Sequence, residues 1–219
     1  MDWDPVTHYQ EVAIAERYDK ERFSRLSGKV YNALEKSYVR MAFAPFPRKC
    51  SVVDVPCGTG RLAEVLLDMG FPVAGIDISR PMLTVAERKL ARFGDRFRTM
   101  VADIKEYSAQ GHERFDLALC ARVLMHFPLE QQIEFLKSVA TITRGHVVIT
   151  QSFSTRYLRL RRRVKQLIGN PPSATYPIGE TELATLLRGA GLREVRRLRP
   201  SRILTEEIIV VASVAQGNP

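Results

Sequence analysis

Two rhythms of hydrophobic and polar positions alternate along this chain. Short apolar runs predict strands over residues 51–55, 72–77, 97–102, 115–120 and 145–151, and again over 192–199 and 204–214. Between them, apolar positions recur at three- and four-residue spacing and predict helices over 60–69, 81–92, 129–142 and 180–190. Strands that alternate with helices imply a mostly parallel sheet covered on both faces. The last two strands have no helix between them and so imply an antiparallel hairpin at one end. The expected fold class is therefore α/β, a doubly wound seven-stranded sheet. Ahead of it, residues 7–42 read as one or two amphipathic helices that pack somewhere on the sheet. There is no internal repeat and no low-complexity tract.

Length and composition add limits to this picture. A chain of 219 residues with 45% hydrophobic content suffices for one α/β domain spanning 1–219 with a modest appendage, not for two large domains. No apolar run approaches the length of a membrane-spanning helix and the N-terminus is polar and acidic, so the protein is expected in the cytosol. Cys50, Cys57 and Cys120 are odd in number and lack metal spacing. They are expected to be reduced thiols rather than a disulfide or zinc framework, and no metal site is expected.

The chemistry begins where the first apolar run meets a glycine turn, in Ser-Val-Val-Asp-Val-Pro-Cys-Gly-Thr-Gly at 51–60. A buried strand made of Val52, Val53 and Val55 has no use for Asp54 unless that carboxylate reaches the strand's C-terminal end and meets a donor there. Gly58 and Gly60 allow a tight turn and close approach of a ligand, and the helix expected after them would offer its N-terminal amides. The spacing departs from G-x-G-x-x-G and also suits a turn that uses glycine only for packing. Two further strands strengthen the ligand reading, since the second ends in Asp77 and the third in Asp103. An acid about twenty residues after such a turn is where α/β nucleotide sites place a ribose-binding group.

With these residues the chain resembles a class I S-adenosylmethionine-dependent methyltransferase, over roughly residues 10–215, with VVDVPCGTGR as the glycine motif. The resemblance implies the Rossmann-like methyltransferase fold and S-adenosylmethionine as cofactor. It implies that Asp54 orients the methionine ammonium while the backbone of Cys57, Gly58, Thr59 and Gly60 wraps the methionine and ribose. Asp77, followed by Ile78, would bind both ribose hydroxyls. Asp103 would accept from the adenine amino group, with Ala102 and Ile104 flanking the ring and Met82 packing on its face. Pro56 departs from the small residue usual before the Cys or Gly of this motif, which stiffens the turn without removing a needed donor. Near the N-terminus, Ala15-Glu16-Arg17-Tyr18-Asp19 is similar to an element whose aromatic residue closes on the methionine end; the alternative is that Tyr18 anchors its helix to the sheet.

After the fourth strand comes Ala121-Arg122-Val123-Leu124-Met125-His126-Phe127, where the resemblance places the space beside the reactive methyl. His126 is a candidate general base or acceptor-binding group, or else it bonds the backbone and holds the loop. Arg122 is read either beside the cofactor carboxylate, with Ala121 next to it, or as solvated. Methyl transfer is an in-line displacement at a sulfonium, so positioning alone can carry much of it.

Charge supplies the last clue. Residues 154–202 hold twelve Arg or Lys and three Glu, a balance of +9 that equals the excess of the whole chain. Within this stretch Tyr157, Leu160, Val164, Leu167 and Ile168 can share one helical stripe, with Arg159, Arg161, Arg162 and Arg163 among the residues of the other faces. Residues 154–178 are thus expected to form a basic lid over the acceptor pocket. Its occupant could be an anionic lipid surface, nucleic-acid phosphate or an acidic acceptor, and the helix could equally be a solvated lid. Nucleic acid is disfavoured because no Asn/Asp-Pro-Pro-aromatic motif follows the fourth strand; Asn170-Pro171-Pro172-Ser173 lies elsewhere and lacks the aromatic residue. The expected function is methyl transfer to a small-molecule or lipid-linked acceptor, similar to the ubiquinone and menaquinone biosynthesis group, in the cytosol and with peripheral contact to anionic membrane. An RNA methyltransferase and a non-catalytic cofactor-binding module remain as alternatives.

Overall fold

The computed structural model describes residues 24, 26–111, 113–154, 175–199 and 207–215. Seven strands form one sheet: β1 (Val52–Asp54), β2 (Val73–Asp77), β3 (Phe97–Val101), β4 (Phe115–Cys120), β5 (Thr143–Ser152), β6 (Leu192–Leu198) and β7 (Glu207–Val214). Their order is β3-β2-β1-β4-β5-β7-β6. The pairs from β3 through β5 are parallel, whereas β7 runs antiparallel to both β5 and β6. The expected hairpin therefore sits at one end of the sheet, with β7 inside and β6 at the edge.

Among the described residues six helices accompany the strands: α1 (Leu26–Phe43), α2 (Ala63–Asp68), α3 (Arg80–Leu90), α4 (Ile104–Ala109), α5 (Leu129–Thr141) and α6 (Glu180–Gly189). Strands buried on both sides need two cores, and the apolar runs supply them. Val39 and Phe43 of α1, Leu66 of α2, and Leu83 and Leu90 of α3 pack on one face. Ile104, Tyr107, Leu136, Val139, Leu183 and Leu186, from α4, α5 and α6, pack on the other.

Several boundaries differ from the expectation for local reasons. The helix expected over 60–69 is only α2, because Gly60 takes a positive φ of 72° and the chain becomes helical three residues later. Helix α4 was not expected; its six residues are too short for a periodic signal, and it is held instead by its cap, Asp103, which accepts from the Lys105 amide at 2.7 Å. Helix α3 ends at Leu90 and a 3-10 turn over Ala91–Arg96 leads into β3. The described part of the N-terminal segment is the single helix α1. Tyr18, the basic stretch with Tyr157, Arg159, Arg161, Arg162 and Arg163, and the first residues of the strand expected over 204–214 lie outside the described residues.

Strand order reverses beside β1: the chain steps outward to β2 and β3, then returns to place β4 on the other side. Helices leave β1 and β4 toward opposite faces there and open a crevice at the C-terminal ends of the parallel strands. In register, Asp54 lies beside Gly75 of β2 and Leu119 of β4, at the lip of that crevice.

Candidate functional site

A cavity of about 360 Å³ occupies the crevice, and its wall contains Asp54, Cys57, Gly58, Thr59, Asp77, Ile78, Met82, Ala102, Asp103, Ile104, Ala121, Arg122 and His126. These are the sequence-designated site residues among those described, apart from Gly60. Among the described residues no His, Cys, Asp or Glu cluster has the grouping of a metal site.

Each acid is fixed by a main-chain donor. Asp54 is 2% exposed and accepts from the Ala63 amide at the start of α2, so the donor its burial demands is the helix terminus itself. Burial still holds its carboxyl well above the ordinary range, with Arg61 pulling it down and Asp77 pushing it further up. Asp77 accepts from the Gly58 amide at 2.7 Å and the Ser79 amide at 2.9 Å, and so ties the glycine loop to the loop after β2. Burial raises its pKa against the opposing pull of the Ser79, Gly58 and Ile78 amides. Asp103 is exposed, with one carboxylate oxygen capping α4.

The two motif glycines have different tasks. At Gly58, with φ of 54°, a side chain would stand in open space with nothing within 4 Å, so the backbone there is bare toward any ligand. At Gly60, with φ of 72°, a β-carbon would come 2.7 Å from Leu90 Cδ1 and 3.0 Å from Ala86 Cβ. Gly60 lets the turn pack against α3 and does not border the cavity, which is the packing use of glycine that the sequence left open. Cys57 is buried, and burial holds its thiol protonated. A side chain at position 75 would overlap its sulfur, at 2.5 Å, so Gly75 makes the room for it.

On the far wall Arg122 adopts a φ of 62°, a left-handed conformation that a non-glycine residue holds only when its surroundings impose it. Its amide donates to Thr150 Oγ1 at 2.9 Å, and its guanidinium donates to Tyr31 Oη at 2.5 Å. His126 ends a 3-10 turn, Leu124–His126, its amide donating to Val123 O at 3.0 Å. Phe127 and Phe135 stack with centroids 6.1 Å apart and give the wall an aromatic end.

Sequence reasoning missed Arg61, which lines the cavity and donates to Glu35 Oε2 at 2.5 Å and Asn32 Oδ1 at 2.7 Å. It also missed Glu35 and Glu207, which are 1% and 6% exposed. A signal existed for both acids: Tyr31, Glu35, Val39 and Ala42 form one helical stripe, and Glu207 heads the apolar run Ile208 to Val211. Each is a carboxylate in an apolar pattern, the same signal that singled out Asp54.

Residues 52–145 match the family described as Methyltransferase domain. Over 176 residues the chain is 29% identical to the ubiquinone biosynthesis O-methyltransferase of Aliivibrio fischeri strain MJ11, covering 74% of this chain and 72% of that protein. Its fold is similar to the magnesium protoporphyrin IX methyltransferase of Synechocystis PCC 6803, solved with bound SAH, with a TM-score of 0.76 at 20% identity and coverage of 95% and 97% of the two chains. The Burkholderia thailandensis 1,6-didemethyltoxoflavin-N1-methyltransferase, solved with its substrate and S-adenosylhomocysteine, gives a TM-score of 0.68 at 21% identity over 99% of this chain and 93% of that one. The two solved structures are named for small-molecule acceptors and the first relative for the biosynthesis of a small molecule.

Proposed function

We propose that the chain is a class I S-adenosylmethionine-dependent methyltransferase and that it methylates a small, ring-bearing acceptor, free or lipid-linked, at the end of the cavity marked by Arg122 and His126. The observation that carries this reading is the convergence of Asp54, Asp77, Asp103 and the bare Gly58 backbone on one cavity. The residues suit the cofactor chemically. Both oxygens of Asp77 are fixed by amides at the cavity wall, an orientation that suits the ribose hydroxyls. Asp103 spends one oxygen on its helix cap and has the other for the adenine amino group, with Ile78, Met82, Ala102 and Ile104 supplying apolar surface for the ring. Asp54 faces the methionine ammonium and Arg122 its carboxylate.

The cofactor supplies a sulfonium methyl; the protein's part is to bind, orient and exclude water. The Gly58 amide is fixed through Asp77, Phe127 and Phe135 make one wall apolar, and His126 stands where it can take a proton from an acceptor hydroxyl. An oxygen acceptor is supported by the relative named as an O-methyltransferase of ubiquinone biosynthesis. Tyr18 is assigned to closing the methionine end. The basic stretch 154–178 is assigned to acceptor engagement and, for a lipid-linked acceptor, to an anionic membrane. Among the described residues no helix is long and apolar enough to cross a membrane.

Labelled cofactor incubated with cell extract, then fractionated into lipid, small-molecule, RNA and protein pools, tests the acceptor class. Label in the lipid or small-molecule pool is expected, and label confined to RNA or protein would refute it. If the basic stretch meets a membrane, changing Arg159, Arg161, Arg162 and Arg163 to Gln removes about 1 kcal/mol of association for each arginine at the surface. Co-sedimentation with anionic vesicles reads that loss, with cofactor affinity unchanged.

A further inference from the structure

Behind the cavity wall lies a set of charges that methyl transfer itself does not require. Tyr31, Asn32 and Glu35 come from α1, Arg61 from the segment entering α2, Arg122 from the turn after β4, and Glu207 from the first position of β7. Arg61 holds Glu35 through one oxygen, and Arg122 stands 3.8 Å from the other, Oε1. Tyr31 accepts from Arg122 at 2.5 Å and donates to Glu207 Oε2 at 2.6 Å. The chain of contacts therefore runs from Glu207 through Tyr31 to a guanidinium on the cavity wall.

The two acids meet. Glu35 Oε1 and Glu207 Oε1 are buried, and neither has a hydrogen-bond donor among the described residues. The carboxyls nonetheless lie within hydrogen-bonding reach of each other. Two ionised carboxylates so placed would repel and leave both oxygens unsatisfied, whereas a single proton between them satisfies both at once. The charge count changes with it. Arg61 and Arg122 are balanced when both acids are ionised, and one positive charge is left uncompensated when a proton is held.

We propose that Glu207 holds a proton that it donates to Glu35 and, acting through Tyr31 and Arg122, makes binding of the cofactor's amino-acid end proton-linked. An anionic carboxylate admitted beside Arg122 draws a proton onto the pair, and emptying the pair weakens the hold on that carboxylate. Glu207 thus acts as a positioning residue, and the inference rests on the methyltransferase reading. Burial first, and then Glu35, push Glu207 up to about 7, against the pull of Tyr31 and Arg122. The other neighbours do not replace the pair. Near Glu207, strand β5 presents Thr150, Gln151 and Ser152, while its His146 pairs with Ser213 at the other end of β7, and from β6 onward Arg197 and Arg199 are engaged by Glu180 and Glu194. Asp54 and Asp77 lie beyond Arg61, and Asp54 would lose a proton, not gain one, as an ammonium arrives.

Calorimetry of S-adenosylhomocysteine binding, in buffers of differing ionisation enthalpy, counts the protons exchanged. The difference between wild type and Glu207→Gln removes the contribution of Asp54. Wild type is expected to take up more protons than Glu207→Gln near neutral pH, and its affinity to fall up to about tenfold more between about pH 6 and about pH 8.5. Methylthioadenosine, which keeps the nucleoside and lacks the amino acid, should show no difference between the two proteins. Tyr31→Phe keeps both acids but breaks the link to Arg122, so its count should fall toward that of Glu207→Gln. Either variant, folded by its thermal melt, that matches the wild-type count overturns the inference and leaves the methyltransferase reading standing. Binding of neither ligand by wild type overturns both.

Discussion

Asp77 and Glu207 both lie at the ligand edge of the sheet, but Asp77 is held by the amides of Gly58, Ile78 and Ser79, whereas Glu207 leans on a phenol and faces a second carboxyl. Burial raises the pKa of both acids. Main-chain donors come with the loop itself and cannot be removed by exchanging a side chain. Side-chain donors arrive from distant elements, and Tyr31 and Glu207 are 176 positions apart. The proposed nucleoside end of the site is therefore built locally, while the proposed amino-acid end depends on the whole fold being assembled.

The most severe test of that contrast is Arg61→Met. It leaves Glu35, whose side chain is fully buried, without the partner that lies at 2.5 Å. A loss of about 3 to 5 kcal/mol of stability is expected, because a buried ion pair is broken and Glu35 is left with Arg122 at 3.8 Å in place of its close partner; urea unfolding at neutral pH measures it. A loss below about 1 kcal/mol would mean that the cluster is not held by charge pairing.

Next in size is the pH dependence of stability set by Glu207. Its folded pKa lies above the ordinary 4.5, at about 7, so the unfolded chain gives up this proton first. Its contribution is fully present below about pH 4.5, falls as pH rises, and is lost by about pH 7. The rise corresponds to at most about 3 kcal/mol. Glu207→Gln, which mimics the protonated acid, should gain on wild type by up to that amount as pH increases through this window. Melting curves that stay parallel across it would show that Glu207 is ionised throughout.

Asp77→Ala should weaken binding of S-adenosylhomocysteine by about 2 to 3 kcal/mol, roughly thirtyfold to more than a hundredfold, through loss of charged hydrogen bonds. The fold should survive, and calorimetry decides; unchanged affinity in a folded protein would remove Asp77 from the ribose. The smallest effect separates the glycines. Gly60→Ala should cost about 1 to 2 kcal/mol of stability through its positive φ and its contact with Leu90 and Ala86. Gly58→Ala should cost about 1 kcal/mol and act mainly on cofactor affinity, since open space lies where its side chain would stand. Thermal melts and calorimetry on the pair should give opposite rankings.

What the sequence revealed follows the same division. Asp54, Asp77 and Asp103 were legible because each ends a short apolar run, and a carboxylate in that position needs a donor nearby in the chain. The alternation of strand and helix was legible for the same local reason, down to β4, which spans the expected residues 115–120. Helix α4 was hidden by its length, although Asp103 and Glu106 already have the spacing of a capped start. Arg61 was read only as the first residue of a helix, and nothing near it in sequence says that its partners are Asn32 and Glu35. Glu35 and Glu207 carried the same anomaly as Asp54, but pairing them requires knowing that α1 packs against β7. No local pattern encodes that contact. Nor could periodicity show that β7 enters between β5 and β6.

That insertion has a consequence for the order in which the molecule matures. The strands that lead to Asp54, Asp77 and Asp103 are made early and can pair as they emerge, but β7 is made after β6 and must slot between it and β5. Until it does, Glu207 is absent, Tyr31 has nothing to donate to, and Arg122 lacks the charge set that surrounds it in the finished protein. In a nascent chain the contacts proposed for the nucleoside can thus form before those proposed for the charged tail of the same molecule.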